Sequence, residues 1–187
     1  HGAFNATIEV DEDSLCLIAN GNRIQFIYAP HPAGIDYGAF GIKNAILIDN
    51  TGVWSDEAGL GQHLSAKGVE KVLLTAPAKG DVPNIVFGVN DETIGDHSIV
   101  SAASCTTNAS TPVLKVLDEA YGIVQGHIET VHSFTNDQNL IDNFHKADRR
   151  GRSAALNMVI TSTGAAKAVA KAYPPLAGKL TGHAIRV

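Results

Sequence analysis

The stretch AILIDNTGVWSDEAGLGQHLSAKGVEKVLLTAP, from Ala45 to Pro77, decides the fold. Its opening, Ala45-Ile46-Leu47-Ile48, is a short unbroken apolar run, the pattern of a parallel strand buried on both faces. Asp49-Asn50-Thr51-Gly52 ends that run, and a helix is predicted over 55–66 with Ser55 as its N-cap. Lys71-Val72-Leu73-Leu74-Thr75 is the next strand, closed by Ala76-Pro77. Strand, helix and strand in this order make a βαβ unit and hence a mostly parallel sheet.

Upstream, the segments 14–18 and 23–28 are β-rich and flank Asn20-Gly21, a strong hairpin-turn dipeptide; Pro30, Pro32 and Gly34 then break the pattern. Downstream, 84–87 and 98–101 read as two more strands. After Ser101 the character changes. Thr111-Pro112 reads as a helix start, with Val113, Leu114, Val116, Leu117, Ala120 and Tyr121 on one face and Gly122 as terminator. Residues 123–134 alternate like a long strand suited to an antiparallel sheet, and 135–151 form a polar loop. A second helix over 164–173 stops at Pro174-Pro175, and 184–187 opens a further strand. The change near Cys105 marks a domain boundary, dividing the chain into 1–104 and 105–187.

The 187 residues are 44% hydrophobic and 18% charged, enough apolar content for a sizeable core. A net charge of −5 without long like-charged runs argues against a general nucleic-acid or membrane-surface binder. No apolar stretch reaches the roughly 18 residues that span a bilayer. Two cysteines, Cys16 and Cys105, make no disulfide framework. A cytoplasmic enzyme or binding domain fits these bounds. The first residues, His1-Gly2-Ala3-Phe4-Asn5, lead straight into strand-like text, and the last stop inside an apolar run. Both ends suggest a piece of a longer protein.

Ser104-Cys105-Thr106-Thr107-Asn108 lies between a strand end and a helix start. Unpaired backbone N–H groups and the positive end of the helix dipole would stabilise a thiolate there. The alternative for Cys105 is a small buried residue; the polar neighbours weigh against it. His132 stands near the end of the long strand, and one helix and one returning strand fit between it and Cys105. A Cys–His pair needs only contact in space, with the imidazole activating the thiol. His31, His63, His97, His145 and His183 read as loop or surface. Thr161-Ser162-Thr163-Gly164 leads into a helix, Thr135 follows His132, and Arg149, Arg150, Arg152 and Arg186 supply guanidinium forks. Two hydroxyl-and-arginine sets around one cysteine suit a substrate with two anionic ends, or one anionic end plus inorganic phosphate. No Gly-x-Gly-x-x-Gly turn follows a strand in these residues.

The segments SAASCTTNAS, TVHSFTNDQ, RRGR, TSTGAAKAV and GKLTGHAIRV, with DNTGVW and LLTAPAKGDVPNIVFGVN before them, resemble the motif run of the phosphorylating glyceraldehyde-3-phosphate dehydrogenases. The resemblance implies an α/β chain: part of a Rossmann-type parallel-sheet nucleotide domain over 1–104, lacking its first βαβ unit, then the start of an α+β catalytic domain with a mainly antiparallel sheet over 105–187. It makes Cys105 the nucleophile and His132 its base. It places Ser104, Thr106, Thr163, Gly164 and Arg152 at the inorganic-phosphate site, and Thr135, Asp137 and Arg186 at the substrate's C3 phosphate. It places Thr51, Gly52, Thr75 and Asn136 at the cofactor, NAD or NADP, with no metal. It further implies a cytoplasmic homotetramer of glycolysis acting on a sugar phosphate, with no nucleic-acid or membrane partner.

The sequence departs from the family pattern at Ala102, where Asn is usual, at Ala109, where Cys is usual, at Asp137, where many members carry Thr, and in the Pro30-His31-Pro32 region. Alternatives are an erythrose-4-phosphate dehydrogenase, a catalytically silent piece acting through binding, and a cysteine hydrolase. The hydrolase gives no reason for two phosphate sites. Without the glycine-rich turn, the isolated residues are expected to bind NAD weakly and to be poorly stable.

Overall fold

The computed structural model describes residues 2–147 and 149–187; His1 at the chain start and Asp148 in the polar loop lie outside the described residues. The first three strands, β1 (Ile8–Asp11), β2 (Cys16–Ala19) and β3 (Asn22–Gln25), form an antiparallel meander. Asn20 and Gly21 connect the last two with φ of 49° and 79°. Both are left-handed, as a two-residue hairpin turn matched to strand twist requires. The hairpin stands where the sequence placed it. The strand-like text that follows the first residues is β1, although Glu9 and Asp11 interrupt its apolar pattern.

The βαβ unit is next: β4 (Ala45–Asp49), α1 (Glu57–Leu64) and β5 (Val69–Leu74), followed by β6 (Ile99–Ser101). Their sheet runs β4-β5-β6, parallel throughout. Helix α1 covers one face, packing Leu60 onto Val72 and Leu74, with Leu47 and Trp54 at the margin. The other face has no cover among the described residues. Ile46 and Ile48 are 65% and 60% exposed, which corrects the expectation of a strand buried on both sides. The N-cap is Asp56, whose carboxylate accepts from the Gly59 N–H, and not Ser55. Residues 84–87 form no strand. Asn84 makes one isolated bridge to Ser101, and its side chain serves the backbone at Ala78 and Val82.

Helix α2 (Cys105–Tyr121) begins six residues before the expected Thr111 and carries Pro112 inside it. The cap formed by Ser104 overrides the proline signal, which marks a lost backbone bond within the helix and not its start. Gly122 ends the helix with φ 72°. Then come β7 (Gly126–His132), β8 (Val159–Ser162), α3 (Ala165–Ala172) and β9 (Leu180–Arg186). Their sheet is mixed, in the order β7-β9-β8. Strand β9 runs parallel to β7 and antiparallel to β8. The long strand's expected antiparallel setting is therefore replaced, within these residues, by a parallel neighbour. Ala103 and Ala172 pack with Val86, Val89 and Tyr173, joining the α2 entry to α3. The architecture is α/β.

Leu60 is fully buried between α1 and the sheet. Leu60→Ala should cost about 2–5 kcal/mol in urea unfolding, the range for emptying a leucine site. A loss near zero would show that α1 does not hold this sheet.

Candidate active site

The turn from β6 into α2 is built around a buried hydroxyl. Ser101 Oγ donates to the Ala76 carbonyl at 2.6 Å and accepts from the Ala103 N–H at 2.9 Å. Ala103 takes φ 58°, a left-handed conformation that costs an L-residue roughly 1–3 kcal/mol and is held here by its burial. The sharp turn delivers Cys105 to the first position of α2. Ser104 Oγ accepts from the Thr107 N–H at 3.1 Å, and Asn108 Nδ2 donates to the Ala102 and Ser104 carbonyls at 2.7 and 2.9 Å. Cys105 itself is exposed, beside the unpaired N–H groups of the first helical turn.

Strand β7 brings its last residue back to that turn. His132 Nε2 lies 3.6 Å from Cys105 Sγ, and Thr106 Oγ1 lies 3.9 Å from the sulfur. The hydrogen bond to His132 is the largest influence on the thiol; it outweighs the opposing effect of burial, and Thr106 adds to it. The Cys105 pKa is therefore held below the ordinary thiol value of 9.0. The other ring nitrogen, Nδ1, lies 2.6 Å from the Ser133 carbonyl oxygen and 2.7 Å from Arg186 Nη1. It cannot donate to the first and accept from the second at once. With its proton on Nδ1, the ring donates to Ser133 and turns a lone pair toward the thiol. With its proton on Nε2, it accepts from Arg186 and faces the thiolate as a donor. A ring that takes the thiol proton at Nε2 starts from the first tautomer and ends as the imidazolium, with both nitrogens donors.

Other residues named from the sequence fall into three groups. Thr51, Gly52 and Thr75 follow the carboxyl ends of β4 and β5, on the same sheet edge as the β6–α2 turn. Ligands of open parallel sheets bind along that edge. Ser104 and Gly164 line one cavity of about 230 Å³ with Lys167 and Lys171, where the N-termini of α2 and α3 converge. Thr163 Oγ1 accepts from the Ala165 N–H at the entry to α3. Thr135 and Asp137 form a tight loop after β7, and Asn136 between them is exposed.

Arg152 is not drawn to the cysteine. Its guanidinium pairs with Asp142 at 3.1 Å on the loop surface, and no hydrogen bond or ion pair links it to Cys105. Arg149 donates to the Ile160 carbonyl, and Arg150 pairs with Asp137. The negative charge that Asp137 brings to the expected phosphate pocket is thereby answered within its own loop, with His145 3.6 Å away. His63, expected on a loop or at the surface, lies elsewhere, whereas His183 is half-buried at the surface of a strand. His63 is buried on α1, and His183 on β9 places Nδ1 2.9 Å from His127 Nε2. Gln138 escaped notice in the sequence. Buried, it accepts from the Thr135 N–H at 2.9 Å and closes the loop. Among the described residues, no group of three or more His, Cys, Asp or Glu is arranged to hold a metal ion, and no helix is long and apolar enough to cross a membrane.

These features define a class: an α/β protein whose helix-terminal cysteine is paired with a strand-borne histidine beside a parallel-sheet edge. Residues 104–187 match the family model described as glyceraldehyde 3-phosphate dehydrogenase, C-terminal domain. Over its whole length the chain is similar to proteins named glyceraldehyde-3-phosphate dehydrogenase. It is 65% identical over 188 residues to a glyceraldehyde-3-phosphate dehydrogenase-like protein of Pseudomonas aeruginosa, covering all of this chain and 41% of that one. It is 46% identical to glyceraldehyde-3-phosphate dehydrogenase GAPA1, chloroplastic, of Arabidopsis thaliana, and 43% identical to glyceraldehyde-3-phosphate dehydrogenase 1 of Bacillus subtilis. All of this chain is covered in both cases, with 46% and 55% of the relatives. The chain spans about half the length of the curated relatives it matches.

The thiol assignment has a direct readout. Alkylation of Cys105 by iodoacetamide should titrate with an apparent midpoint below that of an ordinary thiol. His132→Gln should move the midpoint upward and slow alkylation at neutral pH by about tenfold. An unchanged profile would remove His132 from the cause.

Proposed function

We propose that the protein carrying this chain oxidises glyceraldehyde 3-phosphate to 1,3-bisphosphoglycerate through a thioester on Cys105, using NAD or NADP and inorganic phosphate. The observation that supports this reading most is the pairing of Cys105 Sγ with His132 Nε2 at the first turn of α2. His132 Nε2 takes the thiol proton, and the sulfur anion adds to the aldehyde carbon, forming a C–S bond and an alkoxide. His132 returns that proton to the alkoxide, giving a thiohemiacetal and a neutral imidazole. His132 then removes that hydroxyl proton as the carbon's hydrogen departs with its electron pair, leaving a thioester. When bound, the nicotinamide supplies the hydride acceptor. A phosphate oxygen then attacks the thioester carbonyl, the C–S bond breaks, and the acyl phosphate leaves the Cys105 thiolate behind. A sulfur of lowered pKa suits both the attack and the departure.

The residues present fit a dinucleotide along the carboxyl edge of β4 and β5. Gly52 has φ 73° and open space where a side chain would stand, so backbone and ligand can approach closely there. Thr51 and Thr75 stand at the same edge. For inorganic phosphate, the cavity lined by Ser104 and Gly164 at two helix N-termini, with Lys167 and Lys171 on its wall, offers positive charge. Arg186, already at His132, offers its guanidinium to the C3 phosphate. Arg152 supports the inorganic-phosphate role only if it leaves Asp142. A homotetramer in the cytoplasm is the proposed assembly and place.

Cys105→Ser should abolish acyl-enzyme formation, measured by intact mass after aldehyde and NAD are mixed without phosphate. Phosphorylating turnover should fall by at least about 10³-fold. Substantial turnover in the variant would sink the thioester route.

A further inference from the structure

The last residue of β4, Asp49, is 1% exposed, yet it is a carboxylate. A buried carboxylate survives only with donors around it, and this one has three. Oδ1 accepts from the Thr51 N–H and from the Thr51 hydroxyl, both at 2.8 Å. Oδ2 lies 3.0 Å from His63 Nε2. Burial would raise the Asp49 pKa, but the Thr51 and His63 contacts together outweigh it and hold the carboxyl below its ordinary value. An anionic Asp49 fixes the proton of His63 on Nε2, and Nδ1 of that ring has no partner among the described residues. Trp54 meets the imidazole edge-on at 5.1 Å, seated over Gly59, where a Cβ would lie 2.6 Å from the indole.

The backbone of Asp49 is occupied as well. Its carbonyl accepts from the Thr75 N–H at 2.9 Å and from the Thr75 hydroxyl at 3.1 Å. One residue therefore holds both threonines of the sheet edge, one through its carboxylate and one through its carbonyl. Thr51 Oγ1 in turn accepts from the Val53 N–H at 3.2 Å, which closes the turn around Gly52. Both threonine hydroxyls have committed their protons to Asp49. Toward a ligand they present lone pairs, so they suit hydroxyl or amide donors and disfavour phosphate oxygens.

We propose that the buried Asp49–His63 pair is a positioning device for the cofactor edge, fixing the Thr51 turn and the Thr75 hydroxyl as acceptors for hydroxyl donors of the dinucleotide. The proposal rests on the cofactor reading given above. His63 touches no ligand; it acts through Asp49. Without its donor, Asp49 keeps a buried oxygen unsatisfied, and the carboxylate either turns from Thr51 or takes up a proton.

Four variants in the protein carrying this chain test it: His63→Leu, His63→Gln, Asp49→Asn and Thr51→Val. Each is assayed for KM of NAD, KM of the aldehyde, kcat and the iodoacetamide reactivity of Cys105. His63→Leu should raise the KM of NAD about tenfold, close to 1.4 kcal/mol, with aldehyde KM and Cys105 reactivity within about twofold of the parent. His63→Gln, whose amide can donate to Asp49, should recover most of that loss. If His63→Leu fails to fold, Asp49→Asn carries the test. It keeps the volume but sets an amide donor against His63, and it should raise the NAD KM comparably. Thr51→Val raising the NAD KM while His63→Leu and Asp49→Asn leave it unchanged would overturn the positioning role and spare the cofactor reading. No change in NAD KM for any variant, Thr51→Val included, would overturn both.

Discussion

A sulfur and an imidazole nitrogen stand 3.6 Å apart because two different sheets end at one place. The parallel sheet releases the chain from β6 through a single left-handed residue, Ala103, and the helix that follows starts on Cys105. The mixed sheet ends β7 on His132, in register with Arg186 of β9. Neither contact exists without the other sheet. The hydroxyl of Ser101 fixes the turn, and the guanidinium of Arg186 meets the far side of the imidazole. Most of the remaining architecture serves to keep these two strand ends facing each other.

Along the parallel sheet the same logic repeats at lower cost in strain. The ends of β4 and β5 are tied through Asp49, so the edge that faces a ligand is stiffened from beneath by buried groups. The open face of the same sheet is apolar, with Ile46 and Ile48 toward solvent, whereas the face under α1 holds the buried cluster of Leu60, Val72 and Leu74. The site is thus supported from one side of the sheet.

The βαβ order was legible because apolar runs, a turn and a helical stretch succeed each other within Ala45 to Pro77. Cys105 was legible from its polar neighbours, and His132 from the room between them for one helix and one strand. Other features were hidden for identifiable reasons. The start of α2 was masked by Pro112, whose helix-breaking chemistry is overridden by the Ser104 cap. His63 looked like surface because one polar residue on a short helix carries no sign of the carboxylate it will meet across the sheet. Arg152 looked like an anion ligand because Asp142, its partner, is ten residues away in an irregular loop that periodicity does not describe. Resemblance named the family where spacing alone had left the pairing of Cys105 and His132 open.

The account depends on that pairing, and the separation itself is its most direct measure. A crystal structure of the protein carrying this chain should show Cys105 Sγ within about 4 Å of His132 Nε2, with the imidazole's other nitrogen against Ser133 or Arg186. An imidazole turned away, with sulfur and nitrogen more than about 6 Å apart and a water or another side chain between them, would contradict it.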